Sequence, residues 1–333
     1  MLTPLTLLFA CGTTPPPLGS QEAVTQGYQA FIEVPNAEAS GRTEAEGLEI
    51  RDAVFASYVE ASFLQHVGSW AVFNRLEEVT DDYAYVTTQL QDAALPEVLA
   101  AIPYLESQYR PDVQSRVCAK GPWQFMPEVG HRMGLEIRDC AFISDPQIRW
   151  SPTAPSPPRP LADAEYLVDF QCQITSCAVD QRTDLVASTA AAVEMFTTPW
   201  ADPDFRASGA LVQLTIATHN GGYDDSVHDG VKKGSNIKIA FENWRKKAPG
   251  EEAQFAGANI KTESPDETSF RGSVLAAETQ HYAYTVVAQH LVAVCYYGKN
   301  HADKAAFADW AGHHEGWCQA FDIPSTAEVL KRR

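Results

Sequence analysis

Apolar residues recur at helical spacing over most of this chain and alternate at strand spacing almost nowhere. From Leu95, the positions Val98, Leu99, Ile102 and Leu105 follow at offsets of three, four, seven and ten, a one-sided helical stripe whose first turn accommodates Pro96. Upstream, Val54, Tyr58, Phe63, Val67, Trp70 and Phe73 predict a pair of helices between Ile50 and Gln91 that buttresses this stripe. Downstream, Leu185, Thr189, Ala192 and Phe196 share one face of a helix over 184–196. A shorter helix runs from about Gly209 to Thr218 and is stopped by Asn220, Gly221 and Gly222; the last spans Glu278 to Tyr297. Between Ser151 and Pro160 five prolines forbid regular structure, marking an insertion near 140–178. The pattern predicts a mainly α fold without internal repeats.

One acidic residue sits where this pattern makes it chemically interesting. Glu106 lies eleven residues beyond Leu95, nearly three helical turns, and so projects from the apolar face. Partial desolvation disfavours the ionised carboxyl, which is what a proton donor working near neutral pH needs. Pro103 removes a helical hydrogen bond one turn earlier and is expected to kink the helix, opening space beside the acid. An isolated glutamate is more often a surface or ion-paired residue. The segments that follow change that balance.

Composition narrows the classes. A formal net charge of -18 argues against nucleic-acid binding, which needs a basic face. With 333 residues and 45% hydrophobic content the chain can bury one large core or two modest ones. At the start, a short apolar run ends in Leu8, Phe9, Ala10 and Cys11, a quartet that resembles a lipobox, although no Lys or Arg precedes it. Residues 1–11 then read as a lipoprotein signal ending at Cys11, 12–47 as a Pro- and Thr-rich tether with loosely structured chain, and 48–297 as the main domain. Residues 298–333 read as a C-terminal tail. Setting Cys11 apart leaves six of the seven cysteines, which permit 15 pairings. The reading favours Cys295 with Cys318, and two bridges among Cys118, Cys140, Cys172 and Cys177 around the insertion. The spacing of the cysteines and the scatter of the nine histidines give no metal site, and no cofactor is implied.

Glu106 and Ser107 in the run Pro103–Pro111 are followed fifteen residues later by Gly121–Pro127, with Gln124 at its centre. Next come Asp180–Phe196, then Thr218, His219, Asn220, Gly221 and Gly222, then Glu278, Thr279 and Tyr282. This ordered set resembles the lytic transglycosylases with an SLT domain, a goose-type-lysozyme-like fold, and is similar to the membrane-bound lytic murein transglycosylase D branch. It covers roughly Ile50 to Tyr297. Pro122 and Trp123 depart from the family's turn, and Thr218 and His219 stand where the family has alanine and tyrosine.

The resemblance implies a peptidoglycan lytic transglycosylase with Glu106 as single general acid and base. It would cut the β-1,4 bond between N-acetylmuramic acid and N-acetylglucosamine and form 1,6-anhydromuramic ends. Gln124 and Asn220 offer amides suited to the N-acetyl and hydroxyl groups of amino sugars. Ser107 is a candidate for orienting substrate, Trp123 and Phe125 for stacking on sugar faces, His219 for lining the cleft, and Tyr282 for pointing its hydroxyl toward the catalytic carboxylate. Each has an ordinary structural alternative as a cap, a core side chain or a helix residue. The expected partners are glycan strands and, through Cys11, a membrane; Gly12 rather than Asp after that cysteine places a monomeric lipoprotein on the periplasmic side of the outer membrane. Two rivals share the features: a goose-type-lysozyme-like muramidase needing a second carboxylate, with Asp112 and Glu128 nearest in sequence, and an inactive glycan-binding lipoprotein.

Overall fold

The computed structural model describes residues 62–63, 66–67, 69–142, 149–150, 167–168, 171–208, 211–223, 237–247, 277–315, 318 and 323–333. Cys11, the tether and the prolines of 151–160 lie outside the described residues. In chain order the elements are α1 (Trp70–Glu78), α2 (Thr80–Asp92), a 3-10 turn (Glu97–Ala100), α3 (Ala101–Ser107), α4 (Pro127–Arg132), β1 (Ile137–Phe142), β2 (Arg149–Trp150), β3 (Leu167–Val168), β4 (Gln171–Cys172), β5 (Ile174–Asp180), α5 (Leu185–Ala201), α6 (Pro203–Ala207), α7 (Leu211–Gly221), α8 (Ile237–Lys247), α9 (Ala277–Asn300), a 3-10 stretch (Ala305–Glu315) and α10 (Thr326–Lys331). The architecture is mainly α. No described helix is long and apolar enough to cross a membrane.

Two compact units divide the chain, one of residues 1–101, 198–225 and 234–333, the other of 102–197 and 226–233. In the first, α9 is the central element: from Val286 to Tyr297 every residue is buried, the signature of a helix apolar on all sides. Helix α7 and the 3-10 stretch pack on it. Tyr297 stacks on Phe307 with ring centroids 4.5 Å apart, and Tyr83 of α2 meets both rings. Residues 298–333 are therefore more than the cystine-tied tail expected from sequence. The Cys295–Cys318 disulfide is present, and Glu77 of α1 additionally accepts from Tyr296, His301 and Thr326, which fastens the last helix to the core. Burial pushes the Glu77 carboxyl up, but those hydrogen bonds outweigh it and hold the group below its ordinary value.

The second unit contains a sheet that the hydrophobic pattern did not predict. Strand β1 lies between β2 and β5 in an antiparallel sheet, and β3 pairs with β4 in a separate hairpin. Cys140 and Cys177 face each other across β1 and β5 and are joined as a disulfide; Cys118 and Cys172 form the other cross-link. Along β5 burial does not alternate, so no period of two could reveal it. A small core of Cys118, Ile137, Cys140 and Ile174 gathers around the two bridges, and cross-links supply what so few apolar side chains cannot.

The helix carrying Glu106 is shorter than its stripe implies. Leu95, Val98, Leu99 and Ile102 are all buried as read, yet the first turn is 3-10, and α-helical geometry begins at Ala101. Pro103 thus occupies the first turn of α3, where a missing N–H costs no helical bond. The break comes ahead of the proline, contrary to the kink expected at it.

Candidate active site

Glu106 is half-buried in the last turn of α3. The chain leaves that helix through Gln108 and Tyr109, whose φ angles of 56° and 60° place two successive non-glycine residues in the left-handed region, a conformation that needs outside support. Part of the support comes from Ser107. Its hydroxyl, 2% exposed, lies 3.0 Å from the Pro122 carbonyl and 3.3 Å from that of Pro103, so it fastens the helix end to the following turn. A hydroxyl spent on backbone carbonyls is a staple, and the substrate-orienting role considered for Ser107 gives way to it.

That turn is a compact loop. Lys120 N–H donates to the Phe125 carbonyl and Gly121 N–H to that of Val113, while Gln114 reaches Ile174 with its amide at 2.9 Å. Gln124 has φ 47°, and its side-chain amide donates to the Val113 carbonyl at 3.0 Å and the Gly121 carbonyl at 2.9 Å. Both N–H groups therefore hold the loop, and Gln124 can offer a ligand only its oxygen. Trp123 is fully buried; its ring N–H donates to the Thr189 hydroxyl at 3.1 Å and its ring lies 6.1 Å from that of Phe196. Phe125 is 3% exposed. Neither aromatic has a free face, so the sugar-stacking expectation is corrected: both are core side chains that seat the turn. Of the rivals' second carboxylates, Asp112 is exposed and Glu128 is half-buried in the first turn of α4.

The remaining predicted residues belong to the other unit. Helix α7 is followed by Gly222, φ 74°, whose N–H returns to the Thr218 carbonyl at 2.9 Å. Half-buried His219 and Asn220 occupy its final turn. The exit is clamped by Asp202, which accepts from the Tyr223 hydroxyl at 2.6 Å and the Lys238 ammonium at 2.8 Å while also capping α6. Burial pushes Asp202 up, but Lys238, Tyr223 and the backbone N–H groups of Phe205 and Asp204 prevail and hold its carboxyl below the usual range. Tyr282, on α9 and 7% exposed, places its hydroxyl 3.1 Å from Nδ1 of His219, with the two rings 5.9 Å apart and only 5° from parallel. That contact joins α9 to the last turn of α7. Among the described residues no group of His, Cys, Asp and Glu is arranged to hold a metal ion.

Residues 86–152 match the family model of the transglycosylase SLT domain. Over that stretch the chain is similar to the SLT domain. The match covers about a fifth of the sequence and takes in Glu106, Ser107, Trp123, Gln124 and Phe125, while His219, Asn220 and Tyr282 lie beyond it. The mainly α, lysozyme-like architecture expected from sequence is the one this domain has. A comparison with curated proteins finds no match.

Beyond the matched stretch, the Gln124 turn depends on a residue that sequence reasoning passed over. Arg182 is fully buried and grips Asp180 with two parallel hydrogen bonds of 2.8 Å. Its third nitrogen donates to the carbonyls of Cys118 at 2.7 Å and Phe125 at 3.1 Å, on both sides of Gly121. A Cβ at Gly121, φ 81°, would stand 1.8 Å from the Arg182 carbonyl oxygen. The signal available in advance was an Asp180-x-Arg182 pair directly before α5, indistinguishable by spacing from a solvated helix start.

Proposed function

We propose that the chain is a peptidoglycan lytic transglycosylase, of the membrane-bound lytic murein transglycosylase D type, with Glu106 as its single acid and base. The observation that carries this is Glu106 itself, half-buried at the end of a helix that Ser107 staples to the Gln124 turn, all inside the stretch matching the SLT model. The last turn of a helix opposes negative charge, which suits a carboxyl that must arrive protonated. Glu106 donates its proton to the glycosidic oxygen as the bond from C1 of N-acetylmuramic acid breaks, with the acetamido group assisting. The resulting carboxylate takes the proton of the 6-hydroxyl as O6 closes on C1, which regenerates the acid and leaves a 1,6-anhydro end without consuming water. Gln124, Asn220, His219 and Tyr282 grip the glycan. Cys11 carries a lipid that holds the monomeric enzyme at the periplasmic face of the outer membrane.

Digestion of purified murein followed by mass spectrometry tests the reading. Wild-type protein is expected to release anhydro-muropeptides, and Glu106→Gln to lower the rate at least ~100-fold, the usual worth of a general acid. Products carrying only reducing ends would transfer the chain to the goose-type-lysozyme-like hydrolases. Equal digestion by wild type and Glu106→Gln would remove the role from Glu106.

A further inference from the structure

We propose that Tyr109 is a positioning residue for Glu106: its buried ring holds residues 108 and 109 in the left-handed region, and that reversal of the chain closes the backbone around the acid and fixes where its carboxyl points. The catalytic consequence rests on the transglycosylase reading; the backbone device does not.

The chain that follows Glu106 enters the left-handed region at Gln108, Tyr109, Cys118 and Gln124, with φ of 56°, 60°, 68° and 47°. Non-glycine residues stay there only where their surroundings over-determine them, and such strain gathers at sites that must hold a shape. Cys118 is tied by its disulfide to Cys172, and Gln124 by its amide on the Val113 and Gly121 carbonyls. The pair at 108 and 109 differs, because two strained residues stand in succession. Gln108 is exposed, whereas Tyr109 is 3% exposed. The Tyr109 ring is thus the part of the pair that the interior grips. Burying a ring of that size is worth more than a left-handed residue costs, so packing can hold the turn.

What the turn secures is the backbone on either side of the acid. Gln108 N–H donates to the Tyr104 carbonyl at 2.9 Å and Tyr109 N–H to the Pro103 carbonyl at 3.0 Å. The second bond spans 103 to 109, a longer reach than the one that closes an ordinary glycine stop, and Glu106 sits at the middle of the loop it closes. The Ser107 carbonyl accepts from both the N–H and the Nε of Arg110, at 3.2 and 3.0 Å, and its hydroxyl lies 3.3 Å from the same Pro103 carbonyl. If residues 108 and 109 relaxed into right-handed or extended backbone, these contacts would part together and the peptide units after Glu106 would rotate.

Hydrogen exchange, together with kinetics on soluble glycan fragments, tests this with two pairs of variants. In the buried pair, Tyr109→Ala keeps the backbone strain and removes the ring that offsets it, whereas Tyr109→Gly removes ring and strain together. In the exposed pair, Gln108→Val puts a β-branched residue where φ is positive, and Gln108→Asn one that tolerates it. Tyr109→Ala and Gln108→Val are expected to speed exchange of the residue-109 amide at least ~10-fold, and to lower kcat about tenfold with KM within about twofold. Tyr109→Gly and Gln108→Asn are expected to recover most of both losses. Packing alone gives a different result: glycine no better than alanine at 109, and no effect of valine at 108. Either finding would overturn the proposal, as would a loss confined to KM. Because Gln108 is exposed, Gln108→Val keeps the outcome readable even if Tyr109→Ala does not fold. Absence of any glycan cleavage by the wild type would defeat the transglycosylase reading and with it the role toward Glu106, whereas the order of exchange rates decides by itself whether Tyr109 holds the backbone.

Discussion

The Gln124 turn and the C-terminal end of α7 solve one problem in two ways. In each, the backbone leaves regular geometry at a glycine with positive φ beside a polar side chain assigned to the ligand: Gly121 at 81° and Gly222 at 74°. Around Gly121 there is no space, since a methyl group would collide with the Arg182 carbonyl, whereas nothing lies within 4 Å of the corresponding position at Gly222. The turn is held by a buried ion pair, a disulfide and aromatic side chains folded inward. The helix end is held by a hydrogen-bonded carboxylate and by packing on α9. A rigid loop without a helix of its own needs cross-links, while a helix end inherits order from the helix and needs only its exit fixed.

Substitutions can break this contrast, beginning with the largest effect. Gly121→Ala combines a forced left-handed backbone with a collision against main chain and is expected to cost ~4 kcal/mol, seen as a lowered urea midpoint. A loss under ~1 kcal/mol would mean the loop is not sterically locked. Arg182→Met should cost about 3 kcal/mol, because it strands Asp180 and two carbonyls in the interior, although Lys120 at 3.5 Å remains as partial compensation. Hydrogen exchange should then accelerate over 113–125 and stay unchanged over 211–222. Gly222→Ala has only the backbone conformation to offend and is expected to cost about 1 kcal/mol. If it proved as damaging as Gly121→Ala, the two ends would not differ in kind.

The smallest effect is one of pH. Asp202 has its folded-state value held below its ordinary 3.8, so its contribution to stability is present above that value and is lost as pH falls through the depressed one. Amide protection at the end of α7 should weaken in acid below about pH 4, and Asp202→Asn should flatten that dependence. A protection profile in the wild type with no slope in that range would remove Asp202 as the clamp.

Legibility in the sequence followed the same division. Helices α5, α7 and α9 stood close to where their apolar residues and the Asn220-Gly221-Gly222 stop placed them, because runs of apolar residues too long for strands read as buried helices. The sheet was invisible: β1 and β5 are short, unalternating strands whose pairing is secured by Cys140 and Cys177, and cysteine pairing leaves no periodic trace. Glu106 and Gln124, singled out through their motif, fall inside the stretch that matches the SLT model. Trp123 and Phe125 were misread because an aromatic beside a turn has the same sequence whether it faces solvent or Thr189 and Phe196. Arg182 escaped because spacing cannot distinguish a buried guanidinium from a solvated one; only the carbonyls of Cys118 and Phe125, more than fifty residues away, disclose it.

The bridge from Cys118 to Cys172 sits at the root of the loop that displays Gln124, across a span of 54 residues. Closing so long a span removes much of the disorder open to the uncrosslinked chain. A molecule with Cys118 and Cys172 left as thiols would therefore hold the Gln124 loop less firmly. One covalent bond to Cys172, far along the sequence from Glu106, thus sets how firmly the chain beside it is shaped.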